Sequence, residues 1–174
     1  MEKKNNIVLC GFMATGKSSV GKKLAEILGL EFVDLDDSIE AEEGISIPQI
    51  FTERGEQAFR ELELHMVERL ISRAGLVIST GGGTVVDPRN MANLKNCGFV
   101  IALAADIQTI LRRAGSGENR PLLHYDDREE RVRALLLKRA PFYAQADITI
   151  DTSSITVEET ALQILNRLRK CDLY

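Results

Sequence analysis

One short segment, GFMATGKSS at positions 11–19, constrains the fold and the chemistry of this chain more than any other part of the sequence. Its Gly11, Gly16, Lys17 and Ser18 fit the pattern G-x-x-x-x-G-K-[ST], which is typical of a loop that binds phosphate groups. An apolar run at residues 7–10 precedes the segment and an amphipathic run at residues 18–28 follows it, so we expect the loop between a strand and a helix. The N–H groups of such a loop and the N-terminus of the helix attract phosphate. A simple glycine turn before a helix would need neither the lysine nor the serine.

The rest of the chain alternates short apolar runs with amphipathic ones. Strands are predicted at residues 7–10, 31–34, 76–79, 99–103 and 148–150, and helices at residues 18–28, 58–73 and 156–169. Strands separated by helices indicate a parallel sheet that is covered on both faces. We therefore predict an α/β fold with a central five-stranded parallel sheet, in a single domain that spans residues 1–174.

Two regions fit this alternation poorly. Residues 36–57 are acidic and contain Gly44, Pro48 and Gly55, whereas residues 114–128 are rich in glycine and charge. In α/β proteins, ligands bind beyond the carboxyl ends of the strands. We therefore interpret the two regions as excursions around a ligand site, a substrate-binding excursion at about residues 34–62 and a lid at about residues 114–128.

Composition excludes several classes of protein. The apolar runs are only a few residues long, which is too short to span a membrane, and the N-terminal MEKKNN lacks the apolar stretch of a signal peptide. The net charge of −4 argues against nucleic acid as a partner. Three scattered cysteines without a CxxC spacing indicate reduced thiols, neither a disulfide framework nor a zinc site. We expect a cytoplasmic monomer with no membrane and no nucleic-acid partner.

The segment FVDLDDSIE at residues 32–40 supplies candidate carboxylates. Asp34 and Asp36 are two residues apart at the end of a predicted strand, so their side chains are expected on one side, one near a metal ion and one near a substrate hydroxyl. That arrangement suits phosphoryl transfer, in which positioning dominates. The alternative is an acidic strand end followed by a helix N-cap, where aspartate and serine are also favoured.

Several later segments carry arginines and glycines of interest. Arg60 and Glu63 lie three residues apart on a predicted helix, which by itself indicates an ordinary surface ion pair. Arg120 lies in the second excursion, and Arg139 lies late in a helix that Pro141 is expected to end. The triplet at residues 81–83 follows a buried strand, and three glycines in a row permit a close approach to the backbone.

Taken in order, these segments resemble the shikimate kinases, small P-loop kinases whose architecture is similar to that of the nucleoside monophosphate kinases. The resemblance covers residues 7 to about 152 and rests on the succession of the P-loop, D-x-D with SIE, F-R-x-x-E, G-G-G, R-P-L-L and R-x-x-x-Y. It implies the three-layer P-loop kinase fold. It also implies a reaction, in which ATP with Mg²⁺ phosphorylates the 3-hydroxyl of shikimate to shikimate 3-phosphate, in the chorismate pathway to the aromatic amino acids.

The resemblance also implies a role for each matching position. Asp34 would hold Mg²⁺ together with Ser18, mostly through water, while Asp36 would bind the reacting hydroxyl as the candidate base. Arg60 and Arg139 would clamp the substrate carboxylate. Arg120 would contact the transferring phosphate, and Arg113 would stack on adenine. The catalytic groups would be Lys17, Asp36 and Arg120. Backbone N–H groups of the triplet Gly81, Gly82 and Gly83 would face the substrate. The nucleotide would bind to the residues of the phosphate loop: Gly11, Ala14, Thr15, Gly16, Lys17, Ser18 and Ser19.

Two segments depart from the family pattern. Ala14 occupies a P-loop position where a further glycine is common, so we expect a stiffer loop that still accepts the methyl group. The segment DTSSIT at residues 151–156 lacks the Arg and Pro often found there, so the sequence assigns no adenine contacts after Ile150.

Four other interpretations start from the same P-loop. A kinase for another small hydroxy acid, such as gluconate, would need the same phosphate loop and a cationic carboxylate site. A nucleoside monophosphate kinase would need more room than the short, acidic first excursion offers. A P-loop switch that binds GTP would carry N-K-x-D and D-x-x-G, and neither occurs in this sequence. A catalytically dead scaffold would not need Lys17, Ser18, Asp34 and Asp36 together.

Overall fold

Five parallel strands form one sheet in the spatial order β2–β3–β1–β4–β5. The computed structural model describes residues 6–115 and 127–173. The strands are β1 (Asn6–Gly11), β2 (Glu31–Asp34), β3 (Leu76–Ser79), β4 (Gly98–Ala104) and β5 (Ile148–Asp151). Every strand pair is parallel, which confirms the predicted α/β class and the five-stranded sheet.

Seven α-helices connect and cover these strands in the described residues. They are α1 (Lys17–Leu28), α2 (Leu35–Glu43), α3 (Ile47–Leu70), α4 (Pro88–Cys97), α5 (Ile107–Ala114), α6 (Arg128–Tyr143) and α7 (Val157–Lys170). A short 3₁₀ turn at Thr84–Val86 follows β3. None of these helices is both long and apolar enough to cross a membrane.

Alternate residues of the strands enter two different hydrophobic clusters, one on each face of the sheet. Ile7 and Leu9 of β1 pack in the same cluster as Val20 and Leu24 of α1 and several residues of α7. The hydrophobic cluster on the other face is larger. It contains Val8 and Cys10 together with residues of α2, α3, α4, α5 and α6. The result is the predicted three-layer arrangement of helices, sheet and helices.

The first region that fitted the sequence pattern poorly is helical. It forms most of α2 and the first half of α3, and its Ile39 and Ile50 are fully buried in the core. Gly55 interrupts α3 with φ 83° and ψ 170°, a conformation that is accessible essentially only to glycine. The helix predicted at residues 58–73 corresponds to the part of α3 beyond this kink.

The prediction that Pro141 ends α6 is wrong, because the helix continues to Tyr143. A proline near the end of a helix removes only one backbone hydrogen bond. The last turn is closed beyond it, where the N–H of Ala144 donates to the carbonyl of Ala140 at 3.0 Å.

Candidate active site

The carboxyl ends of β1, β2 and β3 open into one cleft of about 1850 Å³. Parallel strands place their carboxyl ends at one edge of the sheet, so segments far apart in sequence meet there. The cleft is lined by most of the residues predicted to form the site: Ala14, Thr15, Gly16, Lys17, Ser18, Ser19, Asp34, Asp36, Arg60, Gly81, Gly82, Gly83, Arg113 and Arg139. The lid lies mostly outside the described residues, and Arg120 falls in that part.

The phosphate loop joins β1 to α1. Gly11 is not on the cleft surface; a Cβ there would lie 2.2 Å from the carbonyl oxygen of Leu103, so only glycine fits beside β4. Gly16 has φ 96° as the N-cap of α1. Ala14 has φ 58°, in the left-handed region that glycine adopts without cost. A glycine at position 14 would adopt this conformation without that cost.

Lys17 lies over the loop that precedes it. Its Nζ donates to the carbonyls of Gly11 and Phe12 at 3.0 and 2.9 Å. The ammonium group is therefore inside the concavity, at the place where a phosphate would meet the loop.

A set of oxygen atoms lies where α1 begins. The hydroxyl of Ser18 donates to Oδ2 of Asp34 at 2.6 Å and lies 3.4 Å from the hydroxyl of Ser79. Hydroxyl and carboxylate oxygens are ligands that Mg²⁺ accepts, and this ion usually retains several waters and phosphate oxygens as well. Among the described residues there is no group of three or more His, Cys, Asp or Glu that could hold a metal by itself. The site therefore fits an ion brought in with a nucleotide.

Asp36 was predicted at the end of a strand, but this part of the prediction is wrong. Strand β2 ends at Asp34, and Asp36 lies in the first turn of α2. Asp34 is the N-cap of α2, and its Oδ1 accepts from the N–H of Asp36 at 3.1 Å. Both carboxylates nevertheless line the same cleft. The helix cap and the predicted site are therefore the same structure.

The environment of Asp36 favours its neutral form. Its Oδ1 is buried and has no hydrogen-bond partner among the residues that the structure describes. Burial raises the pKa of Asp36 to about 6, and the negative charges of Asp34 and Glu63 act in the same direction.

Glu63 is the site residue whose importance the sequence pattern missed. Its side chain is 1% exposed and lies 2.6 Å from Nη1 of Arg60, while its Oε1 accepts from the hydroxyl of Thr84 at 2.6 Å. Arg60 also pairs with the more exposed Glu56 at 2.9 Å. Burial alone would lower the pKa of Arg60, but the charge and hydrogen bond of Glu63, with Glu56, outweigh it and raise the pKa above its usual value. The pair holds the guanidinium at the cleft.

The glycine triplet lies between these side chains. A Cβ at Gly81 would be 2.6 Å from Oδ1 of Asp36, and a Cβ at Gly83 would be 2.6 Å from Nη1 of Arg60. None of the three glycines has a positive φ. A Cβ at Gly81 or Gly83 would therefore fit only if these neighbouring side chains moved, and no special backbone conformation is involved.

Arg139 and Tyr143 approach the triplet from α6. Nη1 of Arg139 donates to the carbonyl of Gly82 at 3.1 Å, and the hydroxyl of Tyr143 donates to the same oxygen at 2.6 Å. The two predicted clamp residues thus lie against adjacent residues of the triplet, Arg60 beside Gly83 and Arg139 beside Gly82.

Arg113 lies at the other end of the cleft. Its guanidinium donates to the hydroxyl of Thr152 at 2.9 Å and to the carbonyl of the same residue. The Thr152 hydroxyl in turn donates to the carbonyl of Thr15, which ties this region to the phosphate loop. Ile155 and Val157 also line the cleft here and give the region an apolar wall.

Comparison with known proteins agrees with this geometry. A family model described as shikimate kinase matches residues 13–169. The chain belongs to the shikimate kinase family. A shikimate kinase of Persephonella marina is 46% identical over 164 residues, which cover 94% of this chain and 99% of the relative. A shikimate kinase of Thermodesulfovibrio yellowstonii is 44% identical, with 95% of each chain covered.

Solved structures lead to the same family. The shikimate kinase from Acinetobacter baumannii in complex with shikimate has a TM-score of 0.92 and 39% identity, covering 98% of this chain and 96% of that one. The enzyme from Aquifex aeolicus has a TM-score of 0.82 and 33% identity, covering 97% of this chain and 98% of that one. The shikimate kinase fold predicted from the order of the motifs is confirmed.

Proposed function

We propose that this shikimate kinase transfers the γ-phosphoryl group of ATP to the 3-hydroxyl of shikimate and produces shikimate 3-phosphate. One observation carries the proposal: the phosphate loop, the carboxylate of Asp36 and the guanidiniums of Arg60 and Arg139 line a single cleft. A phosphate donor, a hydroxyl and a carboxylate would each find a partner there. The similarity to a shikimate-bound kinase of 39% identity supports the choice of acceptor.

The nucleotide would occupy the part of the cleft beside α1. The N–H groups of the loop and Lys17 would bind the phosphates, with Lys17 exchanging its bonds to the loop carbonyls for phosphate oxygens. Ser18 and Asp34 would hold Mg²⁺, partly through water. When bound, the ion neutralises charge on the β- and γ-phosphates. Arg113 would stack on adenine, facing the wall of Ile155 and Val157.

The acceptor would lie beside the glycine triplet. Arg60 and Arg139 present planar donors suited to a carboxylate. Asp36 would accept a hydrogen bond from the reacting hydroxyl and take its proton as the phosphoryl group arrives. A pKa of about 6 lies close to neutral pH, and a general base is most efficient when its pKa is near the pH at which the enzyme works. Arg120 would contact the transferring phosphate from the lid at residues 114–128, and residues 34–62 would form the substrate-binding excursion.

A coupled ADP-release assay tests the proposal. Wild-type protein with Mg-ATP is compared in the presence of shikimate, gluconate, AMP or no acceptor. We expect acceleration by shikimate alone. If gluconate or AMP accelerates ADP release and shikimate does not, the acceptor is wrong, although the kinase family remains. Equal rates in all four reactions would contradict an active kinase.

The assembly and the compartment belong to the same proposal. We propose that the protein is a monomer. We also propose that the protein is cytoplasmic, as the three scattered cysteines without a CxxC spacing indicate. Light scattering after gel filtration would test the monomer, and a dimer mass would contradict it.

A further inference from the structure

In the described part of the chain, the carbonyl of Gly82 joins the glycine triplet to a different element through hydrogen bonds. The carbonyl of Gly81 accepts from the N–H of Thr84, and that of Gly83 accepts from the N–H of Val86; both bonds stay within the turn after β3. The carbonyl of Gly82 instead accepts from two side chains of α6. These two donors, Arg139 and Tyr143, are four residues apart and therefore lie on one face of the helix.

The two donors differ in what else they could do. Tyr143 is 8% exposed, its bond to Gly82 is 2.6 Å long, and burial raises the pKa of its hydroxyl to about 12, so it remains a donor at neutral pH. Arg139 is half-buried at the cleft, and its bond to the same oxygen is 3.1 Å long. A guanidinium has five N–H donors and can serve a second acceptor, whereas a phenol hydroxyl has one.

We propose that Tyr143 is a positioning residue for the acceptor site: its hydroxyl holds the Gly82 carbonyl, so the triplet stays in place while Arg139 turns to the carboxylate of the substrate. This inference rests on the proposed function. A peptide unit is planar and trans, so fixing the carbonyl of Gly82 also fixes the direction of the N–H of Gly83. Glycine has more backbone freedom than other residues, and a triplet of them depends on such a tether to present its N–H groups in one orientation.

Without the hydroxyl of Tyr143, Arg139 would have to supply the hydrogen bond to the carbonyl of Gly82. Binding the substrate carboxylate would then compete with holding the triplet. The cost should appear in acceptor binding and not in nucleotide binding, because the phosphate loop takes no part in these bonds.

The test is Tyr143→Phe, which keeps the ring in the core and removes only the hydroxyl. We expect KM for shikimate to rise about three- to tenfold, the effect of one neutral hydrogen bond, with kcat and KM for ATP within about twofold of wild type. The matched control is Asn6→Ala. Asn6 is buried at the other end of β1 and bonds to Arg73 and Leu76, so its loss should lower stability without changing KM.

All three proteins are measured at a temperature at which thermal unfolding shows them to be folded. An unchanged KM in Tyr143→Phe overturns the inference. An equal rise of KM in Asn6→Ala overturns it as well, because general loosening would then explain both. If wild type does not phosphorylate shikimate, the proposed function fails first. In that case the comparison is repeated with the acceptor that wild type does use, and an unchanged KM for that acceptor again overturns the role of Tyr143.

Discussion

The guanidinium of Arg60 lies against the backbone of Gly83, so closely that a Cβ at this glycine would be 2.6 Å from Nη1. The guanidinium is also held on the side of α3, because Glu63 and Glu56 form ion pairs with its two terminal nitrogens. The position of the arginine at the cleft is therefore set by two acids on α3 and by the missing side chain of one glycine.

Substitution of Gly83 tests this contact. In Gly83→Ala the new methyl group must displace the guanidinium, which is the flexible end of a long side chain. We expect the midpoint of thermal unfolding to change little, while KM for shikimate rises about tenfold or more. Steady-state kinetics with each substrate varied in turn would show this, and KM for ATP serves as the internal control. An unchanged KM for shikimate would separate Arg60 from the acceptor site.

The two arginines of the clamp should not be replaceable by lysine. A lysine ammonium lacks the planar fork that binds a carboxylate through two parallel bonds. We expect Arg60→Lys and Arg139→Lys each to weaken shikimate binding by roughly tenfold, or about 1.4 kcal/mol, in a direct titration. Arg133→Lys is the control on the same helix as Arg139, because its arginine forms an exposed pair with Glu129. Equal affinities in all three variants would remove the clamp from the site.

The two aspartates should fail in different ways. Asp36→Asn keeps the shape of the side chain but cannot take a proton, so we expect turnover at saturating substrates to fall by roughly 10² or more with ATP binding unchanged. Asp34→Asn should instead show a defect that depends on Mg²⁺ concentration. Rescue of the Asp36 variant by extra Mg²⁺ would show that the two roles are reversed.

The raised pKa of Asp36 predicts a pH-dependent stability. The folded protein binds this proton more tightly than the unfolded chain, so the stabilisation is complete below about pH 4 and is lost as the pH rises through 6. Asp36→Asn does not titrate. We expect it to be more stable than wild type at pH 8, on the order of 3 kcal/mol, with the difference shrinking toward pH 4. Urea unfolding at both pH values, without nucleotide or Mg²⁺, measures it, and a constant difference would contradict the assigned pKa.

Ala14 should cost stability because of its positive φ. A left-handed conformation costs an L-residue about 1–2 kcal/mol, and replacing Ala14 by glycine would remove this cost. Glycine also has more freedom in the unfolded chain, which offsets about 0.4–1 kcal/mol of the stability gained. We therefore expect Ala14→Gly to stabilise the protein by roughly 0.5 kcal/mol in denaturant unfolding. Ala134→Gly is the control, in which the same substitution is made at an exposed position inside α6. There we expect the opposite effect, a loss of about 1 kcal/mol in the stability of the protein. Destabilisation by both changes would mean that position 14 carries no strain.

Some elements could be predicted because their signals are local. The phosphate loop requires glycines, a lysine and a serine at fixed spacing between a strand and a helix, and all of these are neighbours in the chain. The cap of α7 is equally local: Thr156 and Glu159 form the capping box that their spacing indicated. The five strands were recognised for the same reason, since a short run of apolar residues is visible in the sequence without its partners.

Other features depend on partners that are distant in sequence. An Arg–Glu pair three residues apart on a helix has the same pattern whether it is exposed or buried. Only the tertiary structure shows that Glu63 is buried and that it accepts a hydrogen bond from Thr84. In the same way, the motif that contains Tyr143 indicated the end of a helix, whereas its hydroxyl meets Gly82, 61 residues away.

The sequence by itself predicted the α/β class from the alternation of apolar and amphipathic runs, and phosphate binding from the spacing of the loop residues. The family was predicted from the resemblance that the ordered motifs carry. Which carboxylate is buried, which side chains crowd Gly81 and Gly83, and what holds Arg60 and Arg139 were decided by the tertiary structure. The reason is physical: burial, close contact and pKa depend on atoms that parallel strands bring to one edge of the sheet from segments far apart in the chain.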